Sequence, residues 1–219
     1  MGAASGAGLD VAPVPSGRLV AVAQQDGPMV RPHLSTKRID LVPMTLKHLP
    51  LLVELDADAE VLRHILGRAR TTQEVHDYWG PICRDVEAGA VGLGWWVGWR
   101  RDDGDFLGWW DISPDQPIQE HPFRAEAGWR LRRQHWRRGY ATEGARALLE
   151  HGFSTVGLRL VWAETMAVNV ASRAVMTKLG MRHTKTDHRV WDDPLPGAEQ
   201  GEVVYEIDNT TWSAGAAGS

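Results

Sequence analysis

The chain has 219 residues, 43% of them hydrophobic and 24% charged, which is the composition of a globular protein with a buried core. Its net charge of −4 argues against nucleic acid as a partner, and its single cysteine, Cys83, excludes an internal disulfide. No apolar run approaches the roughly 20 residues of a membrane span, the start lacks a secretory pattern, and the nine histidines show no metal-ligand spacing. We therefore expect a cytoplasmic protein with no membrane or metal partner.

The chain divides into an extension, one domain and a tail. Residues 1–34 are rich in Gly, Ala, Pro and Ser, which predicts a disordered extension or a strand added across the surface. Residues 35–212 form the domain, and residues 213–219 are a tail of small residues. The domain is predicted to begin with an alternating strand over 38–43, with Thr45 as a helix N-cap, and with helices over 46–55, 60–66 and 73–87.

Two aromatic strands follow, over 94–100 and 106–112, joined by a turn that contains Asp-Gly. Alternation places Trp96 on the opposite face from the other two tryptophans of the first strand, and it groups Phe106 with Trp110 on the second. Eleven tryptophans is a high number, for which core packing is the first explanation. The second is an aromatic-walled acceptor pocket, for which Trp96 and Trp110 are the candidates.

The most informative stretch is 134–150, where a strand over 125–132 leads through a basic glycine turn into a helix. A helix N-terminus carries unpaired N–H groups and a partial positive charge. Gly139 lets an anion approach these groups, and Arg137 and Arg138 add full charges. The stretch predicts either a pyrophosphate site or, as the simpler alternative, an ordinary tight turn.

The rest of the domain continues the alternation of strands and helices. Asn169 is predicted to cap a helix that closes at Leu179-Gly180. Around it, strands are predicted over 160–165, 182–190 and 202–207, the last two as an antiparallel pair.

Two runs carry a family resemblance: Trp136-Arg-Arg-Gly139-Tyr-Ala-Thr-Glu143, and Asn169-x-x-Ser172-x-x-x-Met176-x-x-Leu179-Gly180-Met181. Together they resemble the acetyl-CoA-binding core of the GNAT N-acetyltransferases, most closely the branch of the ribosomal-protein acetyltransferases RimJ and RimL. The resemblance extends from about Lys37 to Trp212. It departs at Trp136, where the general motif has Gln or Arg and this branch tolerates Trp.

The resemblance implies a mixed α/β GNAT fold, with a central, mostly antiparallel sheet splayed between strands 4 and 5 and flanked by helices. It implies acetyl-CoA as the cofactor, with the pantetheine arm along the fourth strand and the pyrophosphate on the amides of the basic turn. Arg132 and Arg133 are alternative contacts for the ribose phosphate. The cofactor contacts map onto these residues: Trp129, Leu131, Arg137, Arg138, Gly139, Tyr140, Ala141, Thr142, Asn169 and Ser172.

The acceptor amine needs a base and the departing thiolate needs a proton donor. Glu126 is the candidate base, because it lies on the strand beside the thioester path, where we expect flanking Trp and Ala residues to desolvate it and raise its pKa. The alternatives are a surface Glu126 paired with Arg124 or Arg130, and Asp111 as the base. Relatives use a Tyr near the thiolate; this chain has none there, which leaves Ser172 as the candidate donor or as an ordinary residue of the first helical turn.

We therefore expect acetyl-CoA-dependent N-acetylation of a primary amine by a monomer or homodimer. The acceptor is a small cationic amine, such as an antibiotic or a metabolite, or alternatively the N-terminus of a ribosomal protein or other peptide. The acidic stretch 102–120 and the tryptophans favour the small molecule. Trp96, Trp110 and Asp111 are the predicted substrate-binding residues. A non-catalytic acyl-CoA-binding module is the remaining alternative.

Overall fold

A computed structural model describes residues 30–84, 91–114 and 124–216, so most of the predicted extension 1–34 and of the loop after residue 114 lies outside the described residues. The strands are β1 (Leu34–Ser35), β2 (Ile39–Pro43), β3 (Gly94–Arg100), β4 (Phe106–Pro114), β5 (Arg124–Leu131), β6 (Leu160–Met166), β7 (Arg182–Asp187) and β8 (Glu202–Asp208). The helices are α1 (Leu49–Asp56), α2 (Ala59–Leu62), α3 (Thr72–Arg84), α4 (Tyr140–His151), α5 (Val170–Lys178) and α6 (Asn209–Ala216). None of these described helices is long and apolar enough to cross a membrane.

The eight strands form one mixed sheet in the order β1-β2-β3-β4-β5-β6-β8-β7. Only β5 and β6 are parallel neighbours, and their paired residues end at Glu126 opposite Trp162. Beyond this pair both strands continue, to Leu131 and to Met166, without further pairing to each other. We call this opening the fork. The fork confirms the splay that was predicted between strands 4 and 5. These two strands are β5 and β6 here, because the short β1 precedes the predicted first strand.

Each face of the sheet carries its own core. On one side, called the α4 face, Trp96 and Trp110 pack with Leu148 of α4 and Met176 of α5. On the other side, called the α3 face, the strands pack against α1 and α3 through a cluster that includes Val97, Trp109, Leu52, Trp79 and Cys83. The fork therefore opens between two layers of helices.

One face assignment from the sequence is wrong. Phe106 packs in the core of the α3 face with Trp109, whereas Trp110 lies in the core of the α4 face. The register shifts between Gly98 and Trp99, because Gly98 pairs with Gly108 while Trp99 pairs with Phe106. A bulge of this kind inserts one residue into a strand and reverses the alternation beyond it.

Several element ends also differ from the prediction. The first helix begins at Leu49, after a tighter turn over Leu46–His48, and the second ends at Leu62. Part of the predicted tail is helical, because α6 extends to Ala216. Asp208 accepts a hydrogen bond from the amide of Thr211 (2.8 Å) at the start of this helix, and the buried Trp212 donates from Nε1 to Glu150 (2.9 Å). These contacts fold the C-terminal helix against α4.

Candidate active site

The basic glycine turn joins β5 to α4 in the conformation that an anion site needs. Arg137 has a φ of 58° and Gly139 a φ of 82°, both in the left-handed region. Turns of this type point successive amides into one concavity. The first backbone hydrogen bond of α4 runs from the amide of Glu143 to the carbonyl of Gly139, so the amides of Tyr140, Ala141 and Thr142 have no acceptor within the helix. They are therefore available to a bound anion, and their assignment to the pyrophosphate stays a prediction.

Arg38 fastens this turn to the β1–β2 connection. Its Nε donates to Oε2 of Glu143 (2.6 Å), and its Nη1 donates to the carbonyl of Arg138 (3.0 Å). Thr36 donates from Oγ1 to the other carboxylate oxygen of Glu143 (2.7 Å), and the guanidinium of Arg38 lies 4.5 Å from the ring centroid of Tyr140. The contacts hold the turn in place and offset the negative charge of Glu143 in the first turn of α4.

A groove of about 1280 Å³ begins at Gly139 and follows α4 between the β1–β2 connection, the end of α5 and α6. Its lining includes three basic side chains, those of Lys37, Arg146 and Lys178. These side chains would lie beside an anion that extended from the turn into the groove.

Neither arginine considered for the ribose phosphate lines this groove. Arg132 is held by Glu54 (2.6 Å) and Asp105 (2.9 Å), and Arg133 lies 3.3 Å from Asp58. Both arginines therefore connect the turn to the α1–α2 region.

The other predicted cofactor contacts flank the fork. The amide of Arg132 donates to Leu107 on the β4 side, so by alternation the main chain of Leu131 and Trp129 faces the open side. The carbonyl of Leu131 accepts a hydrogen bond from Nε1 of Trp136 (2.8 Å). Trp136, which departs from the family motif, therefore has a structural role. Its contact also occupies one carbonyl of the strand edge that was predicted to pair with the pantetheine arm.

Asn169 and Ser172 lie at the start of α5, directly after β6. The Oδ1 atom of Asn169 accepts from the amide of Ser172 (3.2 Å), and its Nδ2 donates to Oγ1 of Thr165 (2.9 Å). The predicted cap is thus present. The half-buried Ser172 has no hydrogen-bond partner for its hydroxyl among the described residues, which leaves that hydroxyl available for its predicted role.

Asp111 lies beside the closed end of the fork, on the α3 face. It is opposite Gly128, two residues beyond the last β5–β6 pair. Its Oδ1 lies 2.3 Å from the position that a Cβ of residue 128 would take, so only glycine leaves room for the carboxylate. Ser113 donates to its Oδ2 (3.1 Å). Asp111 is therefore a buried carboxylate close to the last β5–β6 pair.

The pKa argument made for Glu126 applies instead to Asp111. The expected desolvation of Glu126 is wrong, because its side chain is exposed at the strand surface. Burial raises the pKa of Asp111 well above its ordinary value, and the nearby charge of Glu126 raises it further. A raised pKa makes the carboxylate of Asp111 a stronger proton acceptor than an ordinary one, and it also keeps the group protonated to higher pH.

The two tryptophans predicted to bind the acceptor lie elsewhere. Trp96 and Trp110 are fully buried on the α4 face, where their indole nitrogens donate to the carbonyls of Pro32 (2.8 Å) and Ala141 (3.1 Å). On these strands the residues in phase with Asp111 are Trp95 and Trp109, which face α3. Side chains alternate between the two faces of a strand, so counting residues from Asp111 would have selected Trp95 and Trp109 from the sequence.

A buried ion cluster on the α3 face had no signal in the sequence. Asp56 has no solvent exposure and accepts from Arg130 (2.6 Å), Arg70 (2.8 Å) and Nε1 of Trp79 (3.0 Å). Burial lowers the pKa of Arg130, and the charge of Asp56 opposes this shift. The cluster ties the end of α1 to β5, two residues beyond Gly128.

Comparison with known proteins identifies the family and supports the fold. Residues 38–182 match the model of the acetyltransferase (GNAT) domain. The FsC-acetyl coenzyme A-N(2)-transacetylase of Aspergillus fumigatus is 39% identical over 191 residues, which cover 83% of this chain and 78% of that protein.

Two solved structures share the fold. Spermidine N-acetyltransferase from Vibrio cholerae, in complex with CoA and spermine, has a TM-score of 0.66 at 12% identity and covers 81% of this chain and 99% of its own. RimL, the ribosomal L7/L12 acetyltransferase in complex with CoA, has a TM-score of 0.65 at 15% identity and covers 82% of this chain and 97% of its own. The chain therefore belongs to the GNAT family, as an N-acetyltransferase whose donor is acetyl-CoA.

Proposed function

We propose that this enzyme acetylates a primary amine of a small molecule. The observation that carries the proposal is the 39% identity, over most of both chains, to an enzyme whose name gives N(2) of FsC as the acetylated position. The likeness to the spermidine and ribosomal-protein enzymes is at 12% and 15% identity, which is a likeness of fold and does not favour either acceptor. The acceptor is thus an amine of the kind represented by FsC.

The position of the β7–β8 connection supports a small acceptor. The β7–β8 connection, residues 188–201, is held near β6 by an ion pair between Arg189 and Glu164 (2.6 Å). It also reaches the α2–α3 connection, where Cδ2 of Leu195 lies 2.7 Å from the position of a Cβ on Gly67. The two connections therefore contact each other. An extended polypeptide needs an open groove, and a contact between two connections on this face supports a compact acceptor instead.

The residues at the fork supply the parts that acetyl transfer needs. When bound, acetyl-CoA supplies the thioester carbonyl that the amine attacks. Asp111 accepts the proton that the amine must lose, and Ser113 orients its carboxylate. Glu126, exposed on the same face, attracts the incoming ammonium. Ser172 keeps its predicted role as hydrogen-bond donor to the sulfur.

Thiol release from acetyl-CoA tests the proposal directly. The acceptor panel comprises FsC, polyamines, aminoglycosides and peptides that begin with Ser or Ala. We expect turnover with a small-molecule amine, FsC first, and kcat/KM values for the peptides at least tenfold lower. A preference for the peptides would overturn the choice of acceptor. Binding of CoA without turnover of any amine would instead indicate the non-catalytic module.

The contacts of Arg38 with Glu143 and with the carbonyl of Arg138 give a test of the cofactor site. Replacing Arg38 with Ala is expected to raise the KM for acetyl-CoA about tenfold, which corresponds to about 1.4 kcal/mol, because the turn loses a charge-assisted contact and Glu143 loses its partner beside an anion. Adding Glu143→Gln should restore part of the affinity, since the uncompensated charge is removed. Lys185→Ala, on the exposed strand β7, is the control and should leave KM unchanged. An unchanged KM in Arg38→Ala would show that the contacts of Arg38 do not shape the acetyl-CoA site.

A further inference from the structure

Asp111 lies between two opposite charges of the neighbouring strand β5. Its carboxylate covers Gly128, because its Oδ1 lies 2.3 Å from the position that a Cβ of residue 128 would take. Side chains alternate between the faces of a strand, so Glu126 and Arg130, two residues to either side of Gly128, share this face. Arg130 is therefore the diagonal cross-strand neighbour of Asp111, a relation in which residues lie roughly 7–8 Å apart.

Arg130 is fixed in this place by a carboxylate and two aromatic rings. Its Nη1 donates to Oδ1 of Asp56 (2.6 Å). Its guanidinium lies 5.0 Å from the ring centroid of Trp109 and 5.9 Å from that of Trp79. The side chain of Arg130 is 8% exposed and that of Asp56 is fully buried. The guanidinium therefore keeps one position relative to β4.

The charge of Arg130 is neutralised in part. Asp56 also accepts a hydrogen bond from Nη1 of Arg70 (2.8 Å), so two arginines share one carboxylate. The buried cluster thus has an excess of one positive charge. Asp111 is itself 6% exposed, and charges in buried places are screened less than those at the surface. The excess charge therefore acts on Asp111 across the strand pair.

The groups around Asp111 act on it in both directions. On the described elements packed at this face, the charged and titratable side chains are those of Glu126, Arg130, Asp56, Arg70, Tyr78 and Cys83. Burial raises the pKa of the Cys83 thiol, which keeps it uncharged. Burial also raises the pKa of Asp111, and the charge of Glu126 raises it further. The hydrogen bond from Ser113 and the charge of Arg130 lower it.

We infer that Arg130, held by Asp56, is a positioning residue for acetyl transfer, because its charge keeps Asp111 in the carboxylate form that takes the proton of the acceptor ammonium. The inference rests on the proposed function, in which Asp111 accepts that proton. Arg130 acts through Asp111 rather than on the reacting atoms. A buried base needs a nearby positive charge if it is to be ionised near neutral pH.

The pH dependence of kcat/KM with the preferred acceptor tests the inference. Arg130→Gln removes the charge beside Asp111 and leaves Asp56 paired with Arg70, so this variant should fold. The rise of kcat/KM with pH should move to higher pH, which lowers the value on the rising limb about tenfold and the plateau at high pH by less than about threefold. Arg70→Gln is the matched control. It removes the other arginine from the same carboxylate and should leave the rise at the pH of the parent.

Two further variants separate charge from packing at position 130. Arg130→Lys keeps a positive charge and should keep the rise close to that of the parent. Arg130→Met fills the space between Trp79 and Trp109 without a charge, so it should shift the rise as Arg130→Gln does. It also provides a second uncharged variant if the glutamine variant does not fold. Circular dichroism and CoA binding verify the fold of each protein.

The outcomes separate the inference from the proposed function. An unshifted rise in the uncharged variants, or an equal shift in Arg70→Gln, would overturn the role of Arg130 while the acetyltransferase proposal stands. A rise that persists in Asp111→Asn would overturn the choice of base, and the inference with it. No turnover of any small-molecule amine by the parent, with CoA still bound, would overturn the proposed function and the inference together.

Discussion

Replacing Asp111 with Asn is expected to lower kcat/KM by about 100- to 10,000-fold, the range that a positioned base contributes. The same change should raise the thermal midpoint of unfolding at neutral pH. The folded state raises the pKa of Asp111, so its contribution to stability is complete below the unfolded pKa of about 3.9 and is lost as the pH rises through the folded pKa. An uncharged Asn avoids this loss, so its advantage should be present at pH 7.5 and absent near pH 3.

Glu126→Gln is the matched variant for this prediction. In the parent, kcat/KM should rise with pH through a pKa above that of an ordinary carboxyl group, and Asp111→Asn should remove this rise. Glu126→Gln removes a charge that raises the pKa of Asp111, so the rise should move to lower pH with a smaller loss of activity. If Asp111→Asn instead retained the rise and Glu126→Gln abolished it, Glu126 would be the base.

Replacing Asp56 with Ala is expected to lower the free energy of unfolding by about 3–5 kcal/mol. The side chain is fully buried, and its loss leaves Arg70 and Arg130 without their shared carboxylate and Trp79 without its acceptor. The lost free energy comes from leaving these buried groups without a partner. The ion pairs themselves contribute little net stability, because burying their charges carries a desolvation penalty. Urea unfolding of the purified protein measures the change.

An exposed ion pair provides the comparison. Asp103 pairs with Arg100 in the β3–β4 turn with half of its side chain exposed, and pairs of this kind contribute little in water. Asp103→Ala should therefore unfold close to the parent midpoint. If Asp56→Ala did the same, the cluster would not be what ties α1 to β5.

The features predicted correctly from the sequence are local ones. The hairpin of β3 and β4 followed from alternating aromatic residues around Asp-Gly, and the cap of α5 followed from Asn169 three residues before Ser172. The basic turn followed from a glycine between a strand and a helix. In each case a side chain, or its absence, acts on the backbone within a few residues.

The errors came from contacts that join distant segments. Phe106 changed face because of a bulge, which depends on the register between two strands. Trp96 and Trp110 pack in the core under α4, as the first of the two explanations has it, and they do not lie in an acceptor pocket. Nothing in the linear order indicated that the carboxylate of Asp56 would meet Arg130, which lies 74 positions further along.

The sequence by itself determined the family, the order of strands and helices, and the basic glycine turn between β5 and α4, because these depend on short spacings along the backbone. Only the tertiary structure decided which carboxylate is buried at the fork and which tryptophans lie on the same face of the sheet as that carboxylate. Desolvation and hydrogen-bond pairing are set by every element packed around a group, and at this fork those elements come from β4, β5, β6, α1 and α3 together.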